Sequence, residues 1–207
     1  MQALHQCDLS IIIPVFNLEN YITPMLLALL SQECSYSVEY IFVLNNCTDH
    51  SRDVILESGL DCKIINCSIQ GCGPARNAGL EIAGGTFVWF MDGDDWLLSE
   101  TALEDVLTKA KFEGLNILRI PFAHDRYHFE YFSMVWQYLF RREFIEEFRF
   151  PAIQPAEDDV YMTQVLAKAG YNRQTYMSMP HMDKPLYFYN YMREGSNMFR
   201  VAAGERI

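Results

Sequence analysis

Two clusters of carboxylates contain the residues of this chain that are best suited to chemistry. The first, residues 92–95 with the sequence DGDD, follows the apolar run of residues 86–90, and the second, residues 157–159, has the sequence EDD. The apolar run predicts a buried strand, so the first cluster is expected where a strand leaves a sheet. Carboxylates gathered there are costly unless a cation neutralises them. Hard cations such as Mg²⁺ or Mn²⁺ take such oxygen ligands and keep positions open for diphosphate oxygens.

The second cluster opens a predicted helix that ends at Gly170. One of its carboxylates could act as a general base. A cation that binds the diphosphate and a general base are the two groups needed at least to transfer a group from an activated nucleotide donor. Both clusters also have simpler explanations. The first could be a solvated polar turn, and the second could be favourable negative charge at a helix N-terminus.

The elements that must position these clusters alternate in the first half of the chain. Strands are predicted over residues 9–15, 38–44, 63–67 and 86–91, and helices over residues 18–32, 51–58 and 74–83. This alternation is typical of a parallel sheet covered by helices on both faces. In the second half, helices are predicted over residues 99–113 and 157–169, strands over residues 115–122, 127–132, 174–179 and 186–191, and a strand followed by a short helix over residues 136–150. The aromatic residues of the last strand, Tyr187 among them, are expected in the core, with stacking on a sugar as the alternative.

Polar residues follow the first strands, at the edge where open α/β sheets bind ligands. Asn45 and Asn46 offer the donors and acceptors that suit the edge of a nucleobase, although amides are also ordinary in turns. Arg76 lies at the start of a helix near two glycines, where it could reach a phosphate or the base. The topology therefore predicts one crevice lined by residues that are distant in sequence.

Length and composition predict one globular domain that uses neither nucleic acid nor an anionic membrane surface as its main partner. The chain has 207 residues, half of them apolar, and a formal net charge of −11. Its six cysteines show no metal-binding or redox spacing and are expected to be free thiols. No leader is recognised, and the apolar runs are too short to span a bilayer. We therefore expect a cytoplasmic protein that reaches the inner membrane, if at all, through partners.

Four segments in sequence order carry a resemblance to a known family: residues 11–17 (IIIPVFN), 45–49 (NNCTD), 73–79 (GPARNAG) and 90–95 (FMDGDD). Together they resemble family 2 glycosyltransferases with the GT-A fold, and residues 157–158 look like the later acidic motif of that family. Residues 136–144 and 191–196 are similar to segments of members that build bacterial polysaccharides. The resemblance covers about residues 9–197, and several motifs in the expected order are far more specific than one.

The resemblance implies an α/β GT-A fold formed by a single domain over residues 1–207. Its central sheet would be mostly parallel and flanked by helices, with a small antiparallel portion in the C-terminal half. The half that spans about residues 9–98 would bind the nucleotide sugar, and the half that spans about residues 99–200 would form the acceptor side. The implied reaction is direct displacement with inversion at the anomeric carbon, which needs one base and one neutralised leaving group.

The resemblance also implies roles for individual residues. The nucleoside pocket would be lined by residues after the first two strands, namely Pro14, Phe16, Asn17, Glu19 if its side chain turns inward, and Asn45 or Asn46 at the base. Asp92 would face the ribose, while Asp94 and Asp95 would hold Mn²⁺ or Mg²⁺ on the diphosphate. Asp158 would take the proton from the acceptor hydroxyl, with Glu157 as the second catalytic candidate.

The predicted reaction is the transfer of a sugar from a nucleotide-diphospho-sugar to a hydroxyl of a glycan or a lipid-linked saccharide. The family usually has an aspartate in the turn that here reads Asn45-Asn46-Cys47, but an amide can still pair with uracil, so a UDP-sugar is the expected donor. One alternative is a nucleotide-sugar-binding module without catalysis. A nucleotidyltransferase is a further alternative, although residues 14–17 (PVFN) lack the lysine and glycines that would hold a triphosphate. The oligomeric state is not predicted.

Overall fold

The computed structural model describes residues 7–124, 134–153 and 156–190. The strands are β1 (Leu9–Val15), β2 (Val38–Leu44), β3 (Lys63–Asn66), β4 (Phe87–Phe90), β5 (Trp96–Leu97), β6 (Ile117–Arg119), β7 (Phe122–Ala123), β8 (Tyr138–Arg141) and β9 (Tyr187–Phe188). The α-helices are α1 (Thr23–Leu30), α2 (Ser51–Glu57), α3 (Cys72–Ile82), α4 (Ala102–Phe112) and α5 (Glu157–Lys168). Three 3₁₀ turns cover Val135–Gln137, Arg142–Ile145 and Tyr176–Ser178.

The central sheet has six strands in the order β3-β2-β1-β4-β8-β6. The first four strands in this order are parallel, and β8 is antiparallel to both of its neighbours, β4 and β6. A second sheet of three short strands has the order β5-β9-β7. The predicted fold class, an α/β protein with a mostly parallel sheet and a small antiparallel portion in the C-terminal half, is confirmed.

Helices cover both faces of the central sheet because side chains on a strand alternate in direction. In β1, Ile11 and Ile13 pack in a core with α1, α2 and α4, whereas Ile12 packs in a second core with α3 and α5. All three isoleucines are fully buried. The central strands therefore read as continuous apolar runs, which is the pattern of a sheet buried on both sides.

The position of Pro14 inside β1 follows from the register of its neighbours. The pairing of β1 with β4 ends at Ile12, while the pairing with β2 continues to Val15. Ile12 accepts from the N–H of Met91 on the β4 side, so the residue two positions later has its nitrogen on that same side. The N–H that proline lacks is therefore not needed by the ladder.

Two predicted strands are different in the structure. The run of residues 115–122 is divided between β6 and β7, which belong to different sheets. The predicted strand of residues 174–179 contains the 3₁₀ turn Tyr176–Ser178 instead. Asn172 Oδ1 accepts from the N–H groups of Gln174 and Thr175, and these bonds turn the chain just before it.

Helix α1 is shorter than the predicted helix of residues 18–32, and it begins at Thr23 with a proline in its first turn. The predicted strand of residues 127–132 lies outside the described residues. Within the described ranges, none of the helices combines the length and the apolar character that crossing a bilayer requires.

Candidate active site

The carboxyl ends of β1, β2 and β4 meet at one edge of the central sheet, because these strands are parallel neighbours. The loop after β1 is tied there to the turn after β2. Asn17 Oδ1 accepts from the backbone N–H of Thr48 at 2.8 Å, and Glu19 Oε2 accepts from the backbone N–H of His50 at 2.8 Å. Phe16, beside this tie, is 49% exposed. The edge therefore presents an aromatic ring on a braced loop, while Glu19 is directed to the neighbouring turn.

The two asparagines after β2 have different environments. Asn45 is buried, donates to the carbonyls of Cys67 (3.0 Å) and Ile69 (2.7 Å), and accepts from the N–H of Gly71 (2.8 Å). These bonds fix the loop between β3 and α3 and occupy both ends of the amide. Asn46 is exposed and has a left-handed backbone with φ of 58°. Of the two candidates for contact with a base, Asn46 is the one with an accessible side chain.

Arg76 joins the two acidic clusters. Its Nη2 donates to Asp92 Oδ1 at 2.8 Å, its Nη1 donates to Asp158 Oδ1 at 2.6 Å, and Glu157 Oε1 lies 3.8 Å from Nη1. The guanidinium is only 3% exposed. Although burial opposes the charged form, the carboxylates of Asp158 and Asp92 raise the pKa of Arg76. The guanidinium thus forms a fork that holds the two clusters together. Its contact with a phosphate or a base stays a prediction.

Helix α3 brings Arg76 to this position through a close approach to the sheet. Gly79, one turn later on the same side of the helix, lies so near β1 that a Cβ at this position would be 2.4 Å from Ile12 Cγ2. A larger residue would force α3 away from β1 and would withdraw Arg76 from the strand ends. Glycine at position 79 therefore allows the approach of α3 to β1 that brings Arg76 to the strand ends.

The turn of residues 92–95 is compact. The N–H of Asp95 donates to the carbonyl of Asp92 at 3.1 Å, and a Cβ on Gly93 would lie 2.6 Å from Leu18 Cδ1. Asp92 and Asp94 are partly buried. The glycine therefore lets the turn lie against the loop that follows β1.

Asp95 is fully buried, unlike the other two aspartates of the turn. Its Oδ2 accepts from the hydroxyl of Tyr187 at 2.6 Å, and its Oδ1 accepts from the backbone N–H of Asn190 at 2.8 Å. Burial and the nearby carboxylates of Asp94 and Asp92 raise the pKa of Asp95. This geometry does not match the ligand role that the sequence predicts for Asp95, because the carboxylate has no surface open to the crevice.

Asp158 and Glu157 begin α5 and are close to Arg76 from the other side. The side chain of Asp158 is 17% exposed, and its Oδ2 accepts from the backbone N–H of Val135 at 3.3 Å. Burial raises the pKa of Asp158 to about 7; Arg76 opposes this rise, and Asp92 and Glu157 add to it. Burial also raises the pKa of Glu157, which has an 8% exposed side chain. Asp158 is thus the more accessible carboxylate of the pair, and hydrogen bonds from Arg76 and Val135 fix its orientation.

The carboxylates available in the site fit a hard cation that would take most of its ligands from a diphosphate. Among the described residues, no group of three or more His, Cys, Asp or Glu side chains is arranged to hold a metal by itself. Mg²⁺ typically takes one or two protein carboxylates and completes its shell with substrate phosphates and water. Asp94, partly buried beside Asp92 and Asp95, offers such a carboxylate in a turn that is rich in negative charge.

Two contacts of the site were not predicted from the sequence. Tyr187 was expected only as a core or sugar-stacking aromatic, yet its hydroxyl bonds to the turn of residues 92–95. The N–H of Val135 orients Asp158, and nothing in the sequence around Val135 indicates this. Both contacts join segments that are far apart in the chain, so no local pattern could have revealed them.

Comparison with known proteins gives one family and several relatives. The model of the family described as glycosyl transferase family 2 matches residues 10–179. The uncharacterized glycosyltransferase EpsJ of Bacillus subtilis is 28% identical over 171 residues, which are 66% of this chain and 48% of EpsJ. The poly(ribitol-phosphate) β-N-acetylglucosaminyltransferase TarS of Staphylococcus aureus is 31% identical over 127 residues, 54% of this chain and 22% of TarS. The chain spans less than half the length of these relatives.

Solved structures share the fold. Residues 1–349 of S. aureus TarS, in complex with UDP-GlcNAc, superpose with a TM-score of 0.78 at 23% identity, covering 93% of this chain and 60% of the TarS chain. The mannosyltransferase PcManGT of Pyrobaculum calidifontis, in complex with GDP-Man and Mn²⁺, gives a TM-score of 0.70 at 16% identity, covering 96% and 61%.

Proposed function

Because this chain belongs to glycosyl transferase family 2, we propose that it transfers a sugar from a nucleotide-diphospho-sugar to a hydroxyl of a glycan or a lipid-linked saccharide. The observation that carries the proposal is the contact of one buried arginine, Arg76, with both Asp92 and Asp158. Through this contact the turn of residues 92–95 lies next to the carboxylate of Asp158, and burial raises the pKa of that carboxylate to about 7. A donor phosphate and an acceptor hydroxyl need such adjacent groups.

The donor proposed is a UDP-sugar. The exposed amide of Asn46 can donate and accept at a pyrimidine edge, and Phe16 offers a flat surface nearby. The TarS complex with UDP-GlcNAc supports uridine, whereas the PcManGT complex with GDP-Man makes guanosine the main competitor. A thermal-shift screen of UDP- and GDP-sugars with Mn²⁺ tests this proposal, and selective stabilisation by GDP-sugars would refute it.

Asp158 acts as the general base in the proposed mechanism. It takes the proton from the acceptor hydroxyl, whose oxygen forms a bond to the anomeric carbon as the bond to the diphosphate breaks. Arg76 and the N–H of Val135 hold the carboxylate in place during this step. A Mn²⁺ or Mg²⁺ ion, when bound through Asp94, would neutralise charge on the departing diphosphate. A single displacement of this kind inverts the anomeric configuration.

The transfer rate is expected to fall as the pH is lowered through about 7, because Asp158 must be deprotonated to accept a proton. Burial is the largest cause of this raised pKa. The groups that also act on it come from four elements: Arg76 of α3, Asp92 after β4, Glu157 beside it on α5, and the N–H of Val135 in the first 3₁₀ turn. Well below that pKa we expect a loss of about tenfold for each pH unit. Initial rates of nucleotide release between about pH 5 and pH 9 measure this, and a rate that stays constant down to the lower limit would contradict it.

Replacement of Asp94 by alanine is expected to abolish metal-dependent donor binding, because Asp94 supplies the protein carboxylate for the cation. Calorimetric titration of the UDP-sugar with and without Mn²⁺ measures the effect. With the metal present, the affinity of Asp94→Ala for the donor should fall to the value that the wild type shows without metal. Without metal, the two proteins should bind the donor alike. Asp61→Ala removes the same charge from an exposed position and should leave binding unchanged. Unaltered donor affinity in Asp94→Ala would count against the assignment.

A further inference from the structure

The acidic turn is tied at its back to the strand β9. The hydroxyl of Tyr187 accepts a hydrogen bond from the backbone N–H of Asp92 at 3.1 Å and donates one to Asp95 Oδ2 at 2.6 Å. The first and last residues of the turn are thus joined through one phenol oxygen. The N–H of Asn190 bonds to the second oxygen of Asp95 at 2.8 Å, which adds a contact two residues beyond β9.

The ring of Tyr187 is itself rigidly held. It stacks on Trp136 with 4.8 Å between ring centroids and 9° between planes, and it is fully buried. The carbonyl of Trp136 accepts from Trp89 Nε1 at 2.7 Å, which connects this stack to β4. The strand that follows the turn, β5, is antiparallel to β9, and Trp96 stacks on Phe188 at 4.3 Å. The phenol oxygen therefore has little freedom to move away from the turn.

We propose that Asp95 and Tyr187 are a pair of positioning residues that fix the backbone of the acidic turn, so that Asp92 and Asp94 face the donor. This inference rests on the proposed function and assigns Asp95 a role other than holding the metal. The alternative, in which Asp95 is itself a ligand, requires it to leave both Tyr187 and Asn190 and to expose a carboxylate that is now fully buried.

The two roles predict different patterns in a double-mutant cycle of Tyr187→Phe and Asp95→Asn. Tyr187→Phe keeps the stacked ring and removes only the hydroxyl. If the pair positions the turn, each single change raises the KM for the donor by about 10- to 100-fold, with a smaller effect on kcat, and the double variant is no worse than either single one. If Asp95 is a ligand, Asp95→Asn weakens donor binding while Tyr187→Phe does not, and this result would overturn the proposal.

Hydrogen exchange provides a measurement that does not depend on activity. We expect the amide of Asp92 to exchange faster in Tyr187→Phe, because it loses its acceptor, and the peptide of residues 88–97 reports this by mass spectrometry. Tyr36→Phe, which removes a hydroxyl bonded to Thr108 on a different part of the molecule, is the matched control and should change neither exchange nor KM.

Unchanged exchange in Tyr187→Phe, or faster exchange with an unchanged KM, would overturn the positioning role. A lower melting temperature with a normal KM would do the same, since that is the result of a purely structural role. Failure of the proposed function gives a separate result: the wild-type protein would neither bind nor consume any nucleotide sugar with Mn²⁺, whatever the exchange data show.

Discussion

Asp158→Asn is expected to slow sugar transfer by about 10²- to 10⁴-fold, the range that a general base contributes, while donor binding is retained. The amide keeps the size of the carboxylate and an oxygen that can accept from Arg76. It loses only the longer bond, 3.3 Å, from the N–H of Val135, so the site should remain assembled. It cannot take the proton of the acceptor hydroxyl. Steady-state rates of nucleotide release with acceptor present, together with calorimetry of the donor, measure the two effects separately.

The matched control for this variant is the next residue along the helix. Asp159 also lies in the first turn of α5, but its carboxylate pairs with Arg173 at the surface, at 2.9 Å. Asp159→Asn changes the same charge at the same helix end and should leave the rate nearly unaltered. Equal rates for Asp158→Asn and the wild type would remove Asp158 from the mechanism. A wild-type protein that binds the donor but releases no nucleotide would indicate a binding module instead.

The parts of the site that could be predicted are those that follow from local patterns. Buried apolar runs such as those of β1 and β4 are recognisable in the sequence, and parallel strands place their carboxyl ends at one edge. It follows that residues 92–95 and the loop after β1 lie together. Helix α5 was also predictable, because its acidic first turn and Gly170 mark its two ends.

The parts that could not be predicted depend on contacts between distant positions. Asp94 and Asp95 are adjacent and chemically identical, and only the bonds of Asp95 to Tyr187 and Asn190, more than ninety positions away, direct it into the core. Arg76 donates to the carboxylate of Asp92, 16 positions away in the chain, and to that of Asp158, 82 positions away. A sequence pattern shows that an arginine begins a helix, but the partners of its guanidinium are decided by packing.

The balance of charge around Arg76 agrees with the proposed cation and the proposed general base. One guanidinium lies near three carboxylates, those of Asp92, Glu157 and Asp158. Burial raises the pKa of Asp158 to about 7, and the carboxylates of Asp92 and Glu157 add to this rise against the opposing effect of Arg76. A base is most effective near that pH. The excess of carboxylates over the guanidinium also favours a cation brought by the donor.

Arg76→Met is expected to lower the free energy of unfolding by about 3 to 5 kcal/mol near neutral pH, because it leaves buried carboxylates without their cation. Burial raises the pKa of Asp158 to about 7, so this carboxylate takes up a proton at mildly acidic pH and its charge then disappears. The destabilisation relative to the wild type should therefore be largest at about pH 8 and clearly smaller at about pH 5. Urea unfolding at the two pH values measures it.

Arg76→Lys separates the charge of Arg76 from its geometry, and Arg173→Met is the control at the surface. Arg76→Lys keeps the charge but cannot reach Asp92 and Asp158 as a fork, so it should recover part of the stability and little of the transfer rate. Arg173→Met breaks the surface pair with Asp159, in which both side chains are largely exposed, and should cost less than about 1 kcal/mol. Arg76→Met could instead be as stable as Arg173→Met at both pH values. In that case the guanidinium would not hold the two acidic clusters together. The placement of the base and the donor at one crevice would then need another cause.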